Sequence, residues 1–153
     1  MISSIQHSID VDAPVRAAYD QWTQFEDFPQ FMDSVLEVEH LTHDTTRWVT
    51  EVNGVNREFV AEITEQTPDQ RVAWTTMDGP KQGGVVTFHE FGDGTTRVMY
   101  QMDSELSGVL ESAGAVTGIL DRTVADDLER FKKFIEARGS ATGAWRGEIE
   151  GSL

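Results

Sequence analysis

The side chains able to do chemistry are few in this 153-residue chain: histidine occurs four times, at His7, His40, His43 and His89, and cysteine not at all. Without cysteine there are no disulfides, thiol nucleophiles or thiolate metal ligands. His40 and His43 lie three apart at the end of an alternating segment, a spacing that puts two strand side chains on opposite faces. With no HExxH and no calcium-loop pattern, neither a metal site nor a cofactor is expected. No G-x-S-x-G elbow supports a serine hydrolase, and GDGTT and GPKQGG read as turns rather than phosphate loops. What remains is proton chemistry by a group tuned through burial. His89 and Glu90 sit between Phe88 and Phe91, so they fall on opposite faces of a strand. Arg57 is in step with Phe59, Ala61 and Ile63, and a guanidinium on that face would donate to a carbonyl or enolate oxygen. Tyr100, in step with Val98 and Met102, would offer a hydroxyl to the same interior. Arg57, Tyr100, His89 and Glu90 are therefore the catalytic candidates.

Such groups need elements to position them, and the periodicity supplies a short list. SSIQHSIDV alternates as a half-buried strand. Asp12 then stands in a cap position before Ala13 and Pro14, which open a short helix running toward Trp22. Pro29 is expected to end any helix near Phe28. From Val35 the period is two: LEVEHL, TRWVTEV, REFVAEITEQ, RVAWTTM, GVVTFHEF and TRVMYQM are separated by turn-forming residues, which is an antiparallel meander. From Val109 to Ile135, apolar residues recur every three or four positions, the stripe of a long helix that covers the dry face of the sheet, and Gly139 is its expected C-cap. Residues 1–138 thus form one domain, and the Gly-rich, aperiodic residues 139–153 read as a flexible tail with Trp145 as its anchor.

The charge balance narrows the partners. Asp and Glu number 27 against 12 Lys and Arg, a formal net charge of −15, which repels nucleic acid and anionic membrane surfaces. No apolar run is long enough to span a bilayer, and the opening MISSIQHSIDVDAP has neither a basic head nor an apolar core, so a cytoplasmic protein without stable membrane insertion is expected. An edge strand or an apolar loop leaves room for a homodimer. The large apolar residues on different strands, Phe59, Trp74 and Phe88 among them, either fill a core or line a hydrophobic site. The stretch WTQFEDFPQFMDSV sets Trp22, Phe28, Phe31 and Met32 in a proline-broken, acid-punctuated segment, unlike a plain core helix.

Taken together, IDVDAPVRAAYDQWTQFEDFPQFMDSVLEVEHL, the sheet segment WVTEVNGVNREFVAEITEQTPDQRVAWTTMDGPKQGGVVTFHEFGDGTTRVMYQM and VADDLERFKKFIEARG resemble the SRPBCC superfamily, also called START-like or Bet v 1-like. Within it they resemble the bacterial polyketide cyclase/dehydrase and coenzyme-Q-binding-type domains. The resemblance implies an α+β helix-grip fold: a seven-stranded curved antiparallel sheet wrapped around a long C-terminal helix, with two short helices after the first strand and a hydrophobic cavity between them. It implies a small hydrophobic ligand such as a lipid, quinone or polyketide, lined by Trp22, Phe28, Phe31, Met32, Phe59, Trp74, Phe88 and Tyr100. Binding or transport is the first expectation, cyclisation or dehydration of an aromatic polyketide precursor the alternative, and a non-catalytic stress-related or structural role the third.

Overall fold

The computed structural model of the protein describes residues 2–52, 54–78, 81–105 and 113–149, and not the side chains of residues 2, 3, 104, 105 and 113–120. Seven strands run β1 (Ile2–Val11), β2 (Val35–His40), β3 (Thr45–Val52), β4 (Val55–Thr67), β5 (Arg71–Thr76), β6 (Gln82–Glu90) and β7 (Thr96–Glu105). Helix α1 (Val15–Thr23) and a 3₁₀ helix (Phe25–Gln30) follow β1, and the long helix α2 (Ala113–Arg138) comes last. This is the expected α+β arrangement. The strands form one antiparallel sheet in the order β1-β7-β6-β5-β4-β3-β2. The chain begins at one edge, crosses through the two short helices to the other, and then meanders back until β7 closes against β1.

The alternation in β1 puts Ile5 and Val11 into the core and leaves Ser4, Gln6 and Ser8 outside. Register shifts at Val35/Glu37 and Ile63/Glu65 mark irregularities in β2 and in the 13-residue β4, and extra residues of this kind bend a strand and increase its twist. Across the inner face one row runs Ile63, Trp74, Gly84, Met102 and Ile5. A Cβ on Gly84 would lie 2.5 Å from the Trp74 ring. Only glycine there lets the indole lie flat across β6.

Two boundaries differ from the expected ones. Helix α1 opens at Val15 with the extended Pro14 as its cap and no side-chain cap bond. The Pro14 carbonyl accepts from the Ala18 amide at 3.1 Å, while the Asp12 amide donates to Glu136 of α2 at 2.7 Å. Asp12 is therefore a tie to α2, not a cap. Pro29 does not stop a helix but lies inside the 3₁₀ turn. The amides of Phe31 and Met32 both donate to the Phe28 carbonyl, so the turn closes around a proline that has no amide to give.

Helix α2 buries Val124, Leu128, Phe131 and Ile135, the expected stripe, and Gly139 ends it with φ +74. The expected start at Val109 lies outside the described residues, as do the side chains of Val116 and Leu120. The helix leans on β1 through His7 to Asp121 at 2.9 Å and through Lys132 to the Asp10 carbonyl at 3.0 Å.

Where it is described, residues 139–149, the C-terminal segment is docked, which departs from the expected flexible tail. The Arg146 guanidinium meets Asp20 at 2.5 Å and Asp69 at 2.7 Å and lies over the Tyr19 ring. Thr142 exchanges two hydrogen bonds with the Gln21 amide and donates to Asp27 at 2.6 Å. Gln66 and Ile149 exchange backbone hydrogen bonds of 2.8 and 2.9 Å. The expected anchor, Trp145, is 39% exposed and is tied down through its amide, which donates to Thr23; Thr142, Arg146 and Ile149 supply further ties. Asp69 takes φ +64 in the β4–β5 turn, a conformation that aspartate tolerates.

Candidate functional site

Between the inner face of the sheet and α2 lies a cavity of about 300 Å³. Trp48, Phe59, Trp74 and Tyr100 stand on strands and point inward, yet each is only partly buried. An inward residue that keeps accessible surface faces a void rather than a neighbour. The stacked pair Trp48 and Phe59, with ring centroids 6.4 Å apart, forms one wall, and Trp74 against Tyr100 at 5.5 Å forms another. The 3₁₀ segment adds Phe25, Phe28 and Met32, and α2 adds Val124, Asp127 and Leu128.

Of the expected ligand-lining residues, Trp22, Phe28, Met32, Phe59, Trp74 and Tyr100 come together here. Phe31 and Phe88 do not. Phe31 turns toward α2 and packs on Phe131 and Phe134, with ring centroids 5.6 and 4.8 Å away. Phe88 is 5% exposed and closes the core against Tyr19 and Trp22. Among the catalytic candidates, Arg57 is on the cavity lining but exposed, at the rim beside Val55. His89 and Glu90 are exposed and off the lining. Alternation sends His89 to the outer face of β6, where its ring meets Thr87 at 3.2 Å; Glu90 shares the inner register but is the exposed last residue of the strand.

The polar group that sequence reasoning missed is Asp127. It is 8% exposed and accepts a 2.5 Å hydrogen bond from Ser34, which directly precedes β2. Arg130 lies 3.6 Å away and binds Asp33 more closely, at 3.1 Å. Burial outweighs these partners and pushes the Asp127 carboxyl up to about 6. The signal was available: Asp127 is three residues after Val124 and four before Phe131, on the helix stripe itself. Burial, followed by the charge of Asp127, also raises the Tyr100 hydroxyl above the ordinary tyrosine range, which places both groups in one electrostatic environment. Gln82 was missed because DGPKQG reads as a turn, whereas β6 already starts at Gln82.

A wider groove of about 600 Å³ lies outside, between the 3₁₀ helix, the His40–His43 turn and Trp145. His40 and His43 are exposed there. Among the described residues no group of three His, Asp or Glu converges to hold a metal ion, and no helix is long and apolar enough to cross a membrane.

The sequence model of a family described as polyketide cyclase/dehydrase and lipid transport matches residues 11–133. The chain belongs to this family. It is 56% identical over 149 residues to an uncharacterized 17.2 kDa protein from the melC2-rnhH intergenic region of Streptomyces lincolnensis, covering 97% of this chain and 99% of the relative. Among solved structures, a Thermus thermophilus protein superposes with TM-score 0.79 at 19% identity, over 90% of this chain and all (100%) of its own. The Zhui aromatase/cyclase of a Streptomyces species gives 0.77 at 14% identity, covering 95% of this chain and 100% of that one. A START superfamily protein of Mycobacterium smegmatis gives 0.70 at 16% identity, covering 88% and 95%. At these identities the likeness concerns the fold: helix-grip, START-like, as the sequence implied.

Proposed function

We propose that the protein binds or carries a small hydrophobic molecule in the cavity between the sheet and α2. The observation that carries this reading is the set of inward aromatics, Trp48, Phe59, Trp74 and Tyr100, left partly uncovered around a space of about 300 Å³. That volume is at the lower end of small-molecule sites, about 300–1,000 Å³. A ligand losing about 200 Å² of apolar surface gains roughly 5 kcal/mol before ordering costs, so fit governs affinity. A cavity of this kind weighs against a purely structural role. The test is calorimetric titration with a ubiquinone analogue, a medium-chain fatty acid and an aromatic polyketide. Saturable one-to-one binding of one class is expected; no saturable binding by any class would overturn the reading.

A second reading, catalysis of polyketide cyclisation or dehydration, is favoured by one observation: a carboxyl with a pKa of about 6, Asp127, lines the same cavity as the Tyr100 hydroxyl. A base of that strength abstracts an acidic proton near neutral pH, while a hydroxyl steadies the enolate oxygen. In this reading turnover of a poly-β-ketone substrate vanishes in Asp127→Asn while ligand binding persists. If Asp127→Asn leaves turnover intact, Asp127 is not the base.

A further inference from the structure

Two hydrogen-bond donors in the cavity wall share one poor acceptor. Tyr100 Oη lies 3.8 Å from Met102 Sδ, and Gln82 Nε2 faces the same sulfur. A thioether is a weak acceptor, and among the described residues it is the contact that these two donors make. Met102 is 3% exposed and sits in the middle of the inner row of the sheet, so the sulfur cannot swing into water. The donors come from neighbouring strands, with Trp74 and Trp22 flanking the tyrosine ring at 5.5 and 6.3 Å. A donor that lines an apolar cavity without a good acceptor is unfavourable, and it is satisfied when an arriving oxygen accepts.

From the α2 side the cavity presents a carboxyl, Asp127, held by Ser34, with Arg130 turned toward Asp33. A second carboxylate placed beside it would be repelled. Arg57, the basic residue on the lining, stands at the exposed rim and not at this depth.

We propose that the ligand is an uncharged apolar molecule carrying a carbonyl-type oxygen, which Tyr100 Oη and Gln82 Nε2 grip in place of the Met102 sulfur, while Asp127 turns carboxylates away. This rests on the cavity being a ligand site. Tyr100 and Gln82 are then specificity-determining residues: burial drives entry, and the two donors choose which apolar molecule stays.

Three probes of nearly the same shape separate these effects in the full chain: naphthyl methyl ketone, ethylnaphthalene and naphthoate. At neutral pH the ketone is expected to bind about ten-fold more tightly than the hydrocarbon, the value of one well-made buried hydrogen bond, with naphthoate the weakest. Tyr100→Phe and Gln82→Met should each cost the ketone about three-fold, the two together accounting for its roughly ten-fold advantage, and leave ethylnaphthalene unchanged; retained hydrocarbon binding also shows that the cavity is still folded. Equal binding of ketone and hydrocarbon, or variants that weaken both alike, overturns this inference alone. Failure of all three probes to bind overturns the ligand-site reading on which it stands.

Discussion

Asp127 shows how burial and partners together set the behaviour of one residue. Asp20 and Asp127 are equally buried, at 8% exposure each. Asp20 is met head-on by Arg146 at 2.5 Å, whereas the nearest cation to Asp127 stands 3.6 Å away and divides its contacts with Asp33. Burial, only partly offset by Ser34 and the distant Arg130, raises the Asp127 carboxyl from 3.8 to about 6. A raised carboxyl is favoured in its protonated form by the fold. Its contribution to stability is complete below the unfolded value and is lost as pH rises through about 6. The loss is on the order of 3 kcal/mol above that range. Asp127→Asn keeps an acceptor for Ser34 and removes the charge, so it should raise the melting temperature near about pH 8 by several degrees, with the gain shrinking toward about pH 4.5. A gain that is constant across pH would show that the charge is not the cause. Asp127 was legible on the stripe of α2 by spacing, but its pairing with Ser34 was not, because that contact joins positions 93 apart in sequence.

At the scale of elements, the 3₁₀ segment and the C-terminal segment work together. Phe25, Phe28 and Met32 form part of the cavity wall, and the outside of the same stretch is held by the chain end through Thr142 to Asp27 and Trp145 to Thr23. Arg146 fastens that chain end to α1 and the β4–β5 turn. Arg146→Ala leaves Asp20 buried without its main partner and should cost roughly 1–3 kcal/mol, against less than about 0.5 kcal/mol for Arg122→Ala on the exposed face of α2. Hydrogen exchange at the Ile149 amide should accelerate in the first variant only. Equal costs in the two variants would reduce the docked segment to surface decoration. Strand periodicity and the α2 stripe were readable locally because one face of each is wet. The docking of residues 139–149 was not, because glycine-rich composition reports the entropy of the free chain and not the ion pairs waiting on α1. The same limit hid Gln82: its strand membership depends on pairing with β7, not on its own neighbours.

For the whole molecule, the order β1-β7-β6-β5-β4-β3-β2 bends one sheet around one helix, and a helix about 10 Å thick cannot fill the concave face along its entire width. The core is solid where Trp22 packs on Phe88 and Phe131 and Tyr19 on Phe88 and hollow between Phe59, Trp74 and Tyr100. The family resemblance carried the fold, because its motifs mark turns, caps and packing. It left open which aromatics fill space and which border it, and Phe31 and Phe88 fell on the filled side because their partners arrive from α1 and α2.

The central claim is that this hollow is a binding site, and equilibrium titration with a neutral naphthylamine fluorophore in the wild type and in Thr50→Phe tests it most directly. Thr50 lines the cavity opposite Arg57 in the strand register, so a phenyl group there blocks the space near its mouth. Saturable one-to-one binding that quenches tryptophan fluorescence, weakened at least about ten-fold in a variant no less stable than the wild type, is the predicted result. Binding that is absent from the wild type, or that survives unchanged when the cavity is blocked, would contradict it.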